Sequence, residues 1–243
     1  MQLVRRDFTQ RYVGSAAGWL WGVIHPIVLF ASYYFIFGLC LKIRIEHYPL
    51  VLITGMLPWI LFSDTVTRSA SSLVEQASLI TKTVFPAEIV PLAIFLSSLL
   101  SHLIAVSLVI AAATVYMGRI NPGLLLLPIF MILLGLFAVG IGWIASSLQV
   151  YLRDTAQLLT VALTFWLWVT PIFIAEENFP RRLRFLIALN PLAYIVRPYR
   201  EILMGTGLPA GHDFGIATLL CGGTFLVGGM FFRYMKRGFA DVL

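Results

Sequence analysis

The chain carries six long intervals without a single Asp, Glu, Lys or Arg: 12–41, 47–63, 89–118, 120–152, 155–175 and 214–232. A helix needs roughly 20 apolar residues to cross the hydrocarbon of a bilayer. Inside it, every backbone polar group must be satisfied within the segment. Six such intervals in 243 residues leave room for connectors but not for a sizeable soluble domain. Only 12% of the residues are charged and 60% are hydrophobic, whereas a soluble domain is about a quarter charged. That balance excludes an ordinary soluble enzyme, a disordered chain and a free nucleic-acid binder. The reading is an all-α integral membrane protein forming one transmembrane domain over 1–243. Its six spans are predicted at 19–41, 49–74, 92–116, 123–148, 156–175 and 213–233.

The second interval is the shortest, so its helix is expected to continue past Asp64 and Arg68, which pair at i,i+4 near an interface. An even number of spans puts both termini on one side. Nine basic residues then fall on the terminal side: Arg5, Arg6, Arg11, Arg68, Lys82, Arg153, Arg233, Lys236 and Arg237. Lys42, Arg44 and Arg119 lie opposite. The positive-inside rule makes the terminal side cytoplasmic, although Arg181, Arg182, Arg184, Arg197 and Arg200 in the last long connector nearly balance it. The net charge of +6 is assigned to anionic lipid headgroups rather than to nucleic acid. The first apolar run is too long for a cleavable signal, and no small-residue cleavage site follows it.

Three pieces do not span. Residues 2–12 read as an amphipathic helix on the inner surface, with Val4, Phe8 and Tyr12 on one face and Asp7 beside Arg11. Residues 76–91 read as a cytoplasmic connector. Within it Pro86 suits the first turn of a short helix and Glu88 its positive N-terminal end, and Pro91 starts the next element. Residues 176–212 read as an outer re-entrant hairpin of two short helices, split at Asn190-Pro191, a good N-cap and N1 pair.

Catalytic chemistry is poorly supplied. No Gly-x-Ser-x-Gly elbow is present. His102 stands among Ser97, Ser98 and Ser101 in the third span; these either relay protons or bond to helix carbonyls and neighbouring helices. The eleven acidic residues are scattered, and Cys40 and Cys221 lack metal-site spacing, so no metal site is expected. A P-loop needs Gly directly before its Lys. Lys42, Lys82 and Lys236 follow Leu41, Thr81 and Met235, so any ATP must be bound by another polypeptide. Aromatic residues crowd spans one and five. They read either as an interfacial belt or as faces on which sugar rings stack. Ala138, Gly142 and Ser146 on span four suit close helix packing, within a protomer or between two.

Several short motifs occur together and in order. They are Arg6-Asp7-Phe8…Arg11-Tyr12…Gly14-Ser15…Gly18…Trp21…Pro26, then Gly55-Met56-Leu57-Pro58-Trp59, then residues 82–92 (Lys-Thr-Val-Phe-Pro-Ala-Glu-Ile-Val-Pro-Leu). Arg153-Asp154, Thr170-Pro171-Ile172-Phe173, Asn190-Pro191-Leu192 and Arg197 follow. Together they resemble the ABC-2-type polysaccharide export permeases over nearly the whole chain.

The resemblance implies a permease subunit rather than an enzyme. It implies a bacterial inner (plasma) membrane location and pairing with a second copy and two P-loop ATPase subunits, which carry ATP and Mg. The implied cargo is a lipid-linked glycan such as O antigen, teichoic acid or capsule. Arg5, Arg6, Phe8, Arg11, Lys82, Phe85, Pro86, Glu88, Arg153 and Asp154 would contact the ATPase. Tyr33, Tyr34, Phe37, Trp166, Trp168 and Phe173, on spans one and five, would line the channel. Asn190, Pro191, Arg197 and Arg200 would shape the outer exit. The alternatives are a permease of this family for a small lipid or drug, and a six-span carrier or membrane enzyme without an ATPase.

Overall fold

The computed structural model describes residues 4, 6, 7, 9, 18–82, 86–118, 121–174, 176 and 179–242. Every regular element among them is helical. Four helices are long and apolar enough to cross a membrane: Tyr48–Glu75, Ile89–Met117, Pro122–Tyr151 and Gly211–Gly238. Two shorter apolar helices, Ile24–Cys40 and Thr155–Val169, accompany them.

Helix α1 runs Trp21–Tyr33 and loosens into a π-helical stretch over Tyr34–Cys40. Gly38 permits that stretch, since a Cβ there would meet the Tyr34 ring at 2.6 Å. Helix α2, Tyr48–Glu75, follows His47 in a left-handed conformation and starts with Pro49 in its first turn, where the missing N–H costs nothing. Pro58 lies in its interior and removes one ladder hydrogen bond. The short α3, Ala77–Lys82, leads towards α4, Ile89–Met117. Pro86 and Ala87 form the entry turn of α4 itself, accepting hydrogen bonds from Ile89 and Val90. Pro91 therefore sits inside the first turn rather than at the start of an element. Gly118 ends α4 at φ +67, as expected of a left-handed C-terminal cap.

Asn121 caps the next turn by accepting from the Gly123 amide at 3.0 Å. Helices α5, Leu127–Tyr151, and α6, Thr155–Val169, follow. Thr170-Pro171 stops α6. Two short helices come next, α7 at Arg184–Ala188 and α8 at Ala193–Met204; neither is long enough to span. Helices α9, Gly211–Met235, and α10, Phe239–Val242, complete the order.

Helix α2 is the hub of the bundle and packs on α4, α5, α6 and α8. Leu52, Phe62, Leu134, Leu192, Tyr199 and Ile202 are fully buried around it, and Phe62 stacks on Phe137 at 5.1 Å. Gly142 answers the question of the small-residue face. A Cβ there would lie 3.0 Å from the Ser69 side chain, so this contact joins α5 to α2 within one chain. The closest approach is between α5 and α9. A Cβ on Gly228 would meet the Gly140 carbonyl at 2.3 Å. Lipid tails are as apolar as Leu, so close backbone packing of this kind supplies much of the association energy.

A second cluster, built on Leu73, Ala87, Val90, Val150, Phe232 and Phe239, closes the end of the bundle where α2 stops and α4 starts. Helix α1, by contrast, has few partners and exposes Trp21, Ile27, Val28 and Phe35. Helices α6 and α9 likewise expose Val161, Phe165, Leu219 and Met230. Apolar surface on this scale belongs against lipid or another subunit.

Candidate functional site

Three groups of chemistry-bearing side chains lie along the bundle. The first is at the α4 entry. The Lys236 ammonium donates to both Glu88 carboxylate oxygens at 2.8 and 2.9 Å. The Trp143 indole N–H donates to the Glu88 carbonyl at 3.0 Å. Burial raises the Glu88 pKa, but the Lys236 hydrogen bond and the Lys236 and Arg233 charges outweigh it and hold the carboxyl below its ordinary value. Pro86 beside it is exposed. Nearby, the Tyr151 hydroxyl donates to the Met235 carbonyl at 2.9 Å. In the α5–α6 turn Arg153 and Asp154 are exposed, and Gln149 braces the turn by donating to the Arg153 carbonyl and accepting from the Ala156 amide.

Arg6 is exposed on the N-terminal helical segment. Arg5, Phe8, Arg11 and Phe85 lie outside the described residues, as does the side chain of Lys82. Asp7 reaches the bundle, and its carboxylate takes the Arg68 guanidinium at 2.5 Å. Arg68 also meets Asp64, the expected i,i+4 partner, at 3.8 Å, and Ser98 donates to Asp64 at 2.6 Å. The pairing of Asp7 with Arg11 lies outside the described residues. Sequence reading found Asp64 and Arg68 but missed the link to Asp7.

The second group is aromatic. Tyr33 and Phe37 of α1 meet Phe173, with ring centroids 4.6 and 5.1 Å away. Trp168 of α6 closes the group at 5.1 Å from Phe173 and 6.2 Å from Phe37. Two of the six predicted aromatics stand apart. Tyr34 stacks on Phe30 of its own helix. Trp166 faces the core, 5.3 Å from Phe62 and 5.9 Å from Phe137.

The third group surrounds α8. Asn190 accepts from the Trp166 indole N–H at 2.8 Å and from the Leu192 amide at 3.0 Å, and donates to the Thr170 hydroxyl at 2.9 Å. It ties the α7–α8 turn to the end of α6, with Pro191 half-buried beside it. Arg197 grips Glu176 through two nitrogens, donates to Asp213 at 3.0 Å and lies 4.8 Å from the Tyr194 ring. Burial opposes its charge, but the Glu176 hydrogen bond and the two carboxylates raise its pKa further.

Arg200 donates to the Pro171 and Ile172 carbonyls at 3.0 and 3.3 Å. It thereby neutralises backbone acceptors released where α6 ends. Gly55 leaves room there, since a Cβ would stand 3.0 Å from the guanidinium and crowd it. Glu176, Asp213 and Lys236 escaped the sequence reading. Their only signal was charge beside an apolar interval. Among the described residues, no group of three or more His, Cys, Asp and Glu side chains is placed to hold a metal ion.

Known proteins resemble this chain in sequence. The chain is 33% and 30% identical to two Klebsiella pneumoniae proteins, each named O-antigen export system permease protein RfbA, over 99% of this chain and 93% of each relative. A Myxococcus xanthus protein of the same name is 27% identical over 86% of this chain and 81% of its own length. The ABC-2 type transporter family matches residues 1–204. With its apolar helices, this chain is a multi-pass membrane protein and belongs to the ABC-2 type transporter family.

Proposed function

We propose that the chain is the permease subunit of an ATP-driven exporter that moves a lipid-linked polysaccharide across the bacterial inner membrane. One observation carries the reading. The chain matches two proteins named O-antigen export permeases over 99% of its length and a third over 86%. In this reading α1, α2, α4, α5, α6 and α9 are six spans, both termini are cytoplasmic, and α7 and α8 form an outer re-entrant hairpin. Two copies pair with two P-loop ATPase subunits that bind ATP and Mg. No lysine of this chain follows a glycine, which suits that division.

The mechanism follows from the contacts. ATP closes the partner ATPases, and their contact energy with the permease differs between two states, which shifts its equilibrium. Force arrives through residues 76–91 and the exposed Arg153-Asp154 turn. Glu88 and Lys236 join the feet of α4 and α9, so both move together. Loosely held α1 swings, and Tyr33 and Phe37 part from Trp168 and Phe173. The glycan then slides past aromatic faces that pack against its C–H surfaces, while the Arg197 clamp orders the exit.

The test is removal of the gene and restoration with the wild-type chain. The expected result is loss of surface polysaccharide with glycan retained inside, reversed on restoration. Unchanged surface polysaccharide with altered drug sensitivity would move the chain to the small-molecule branch.

A further inference from the structure

A cavity of about 550 Å³ lies between α1 on one side and α2 and α4 on the other. That volume falls within the range of small-molecule sites. Asp64, Arg68, Ser98, Ser101 and His102 line it from α2 and α4, and its aromatic residues come from both sides, Trp21 and Tyr33 from α1 and Trp59 from α2. The ion network described above stands at its floor, where Asp7 reaches Arg68. Polar and ionisable groups within membrane helices are costly and face cavities or partners. Here they come from α2 and α4 and meet on one side of the cavity.

A second cavity of about 330 Å³ shares Pro26, Met56, Leu57, Ile60 and Ala105 with the first, yet Ile27, Phe30, Ile53 and Leu108 make its remaining walls apolar. Both are largely apolar, but only the first also carries charged and hydrogen-bonding side chains.

We propose that the first cavity is a carbohydrate subsite that takes a pyranose unit of the exported glycan on its way to the aromatic group. A sugar ring presents several hydroxyls, each donor and acceptor, and apolar C–H faces. Carboxylate, guanidinium and hydroxyl groups from α2 and α4, with indole and phenol rings on both sides, meet both needs. Two carboxylates surround the single Arg68 cation, so the wall favours neutral hydroxyls over a phosphate. Tyr33 lines this cavity and also touches Phe173. Leu167 of α6 lines it too. The subsite therefore adjoins the group between α1 and α6. This inference rests on the export reading given above.

The test is thiol protection in inverted membrane vesicles from cells that make the glycan or do not, using a membrane-impermeant cationic methanethiosulfonate. The background is C40S/C221A. Ser101→Cys reports the cavity, with Ser63→Cys as a second position in it. Ala112→Cys reports the apolar neighbour and Trp168→Cys the aromatic group. Labelling of Ser101→Cys without glycan, protected about tenfold when glycan stands at roughly ten times its Kd, supports the subsite; Ala112→Cys should stay unlabelled. Equal labelling with and without glycan overturns the subsite, as does absence of labelling at both Ser101→Cys and Ser63→Cys. Protection at Trp168→Cys alone would overturn the subsite and leave the export reading standing. Absence of protection at all positions, with no surface glycan, would overturn both. In parallel, Ser101→Trp should lower exported glycan by about tenfold, while Ser107→Trp, outside the cavity, leaves it unchanged.

Discussion

At the scale of single residues, a few charges bear most of the specificity. Arg197 is shared by two carboxylates from different parts of the chain. Replacing it with Ala leaves Glu176 and Asp213 facing each other without a cation. The expected loss is about 1–3 kcal/mol, read as a lower unfolding temperature in detergent, with Arg197→Lys recovering part of it. Glu88 has a pH signature. Its folded pKa lies below the ordinary 4.5, so its stabilising contribution is full above that value and disappears as pH falls through the folded one. Wild type should lose more thermal stability than Glu88→Gln between pH 7 and acid; equal losses would remove the carboxylate from the account. Both partners are partly exposed, so the pair is worth only about 1 kcal/mol. The aromatic residues teach the limit of reading by composition. Trp166 and Trp168 look equivalent in sequence, but two helical residues are about 200° apart. One indole enters the core and the other joins the α1 group.

At the scale of elements, helix existence was legible and helix partners were not. Long apolar stretches announce α2, α4, α5 and α9, although Asp64 and Arg68 interrupt the first, because nothing but a helix satisfies its own backbone in lipid. Pro and Gly punctuate the ends at Pro49, Gly118 and Pro122. Which helix lies opposite is set by packing between distant segments, and local pattern carries no record of it. The contact of Gly140 with Gly228 is such a case. Gly228→Ala should force α5 and α9 apart and cost about 1–3 kcal/mol, visible as early unfolding; a wild-type transition would refute the close approach. The α1–α6 group gives a second test. A cleavable thiol crosslinker between Phe37→Cys and Phe173→Cys, in the C40S background, should stop export until cleaved. Continued export by the linked protein would show that these rings need not part.

At the scale of the whole molecule, the exposed apolar faces of α1, α6 and α9 demand covers that the single chain does not provide. Lipid or another subunit satisfies them. Pull-down of the tagged chain in mild detergent should bring a stoichiometric P-loop ATPase. Its yield should fall with Glu88→Ala while the amount of permease in the membrane holds. Recovery of the chain without any ATPase, even after crosslinking, would favour the carrier or membrane-enzyme alternatives.

The pairing of Glu88 with Lys236 also has a meaning in time. Lys236 is synthesised 148 residues after Glu88. Throughout that interval the foot of α4 waits without its cation, and Trp143 arrives before Lys236 does. The end of the bundle where Glu88 and Lys236 meet is therefore finished late, after α9 has been made. If the export reading holds, a ribosome-bound chain stopped short of Lys236 would present an incomplete docking face, and subunit assembly would follow completion of α9 instead of competing with it.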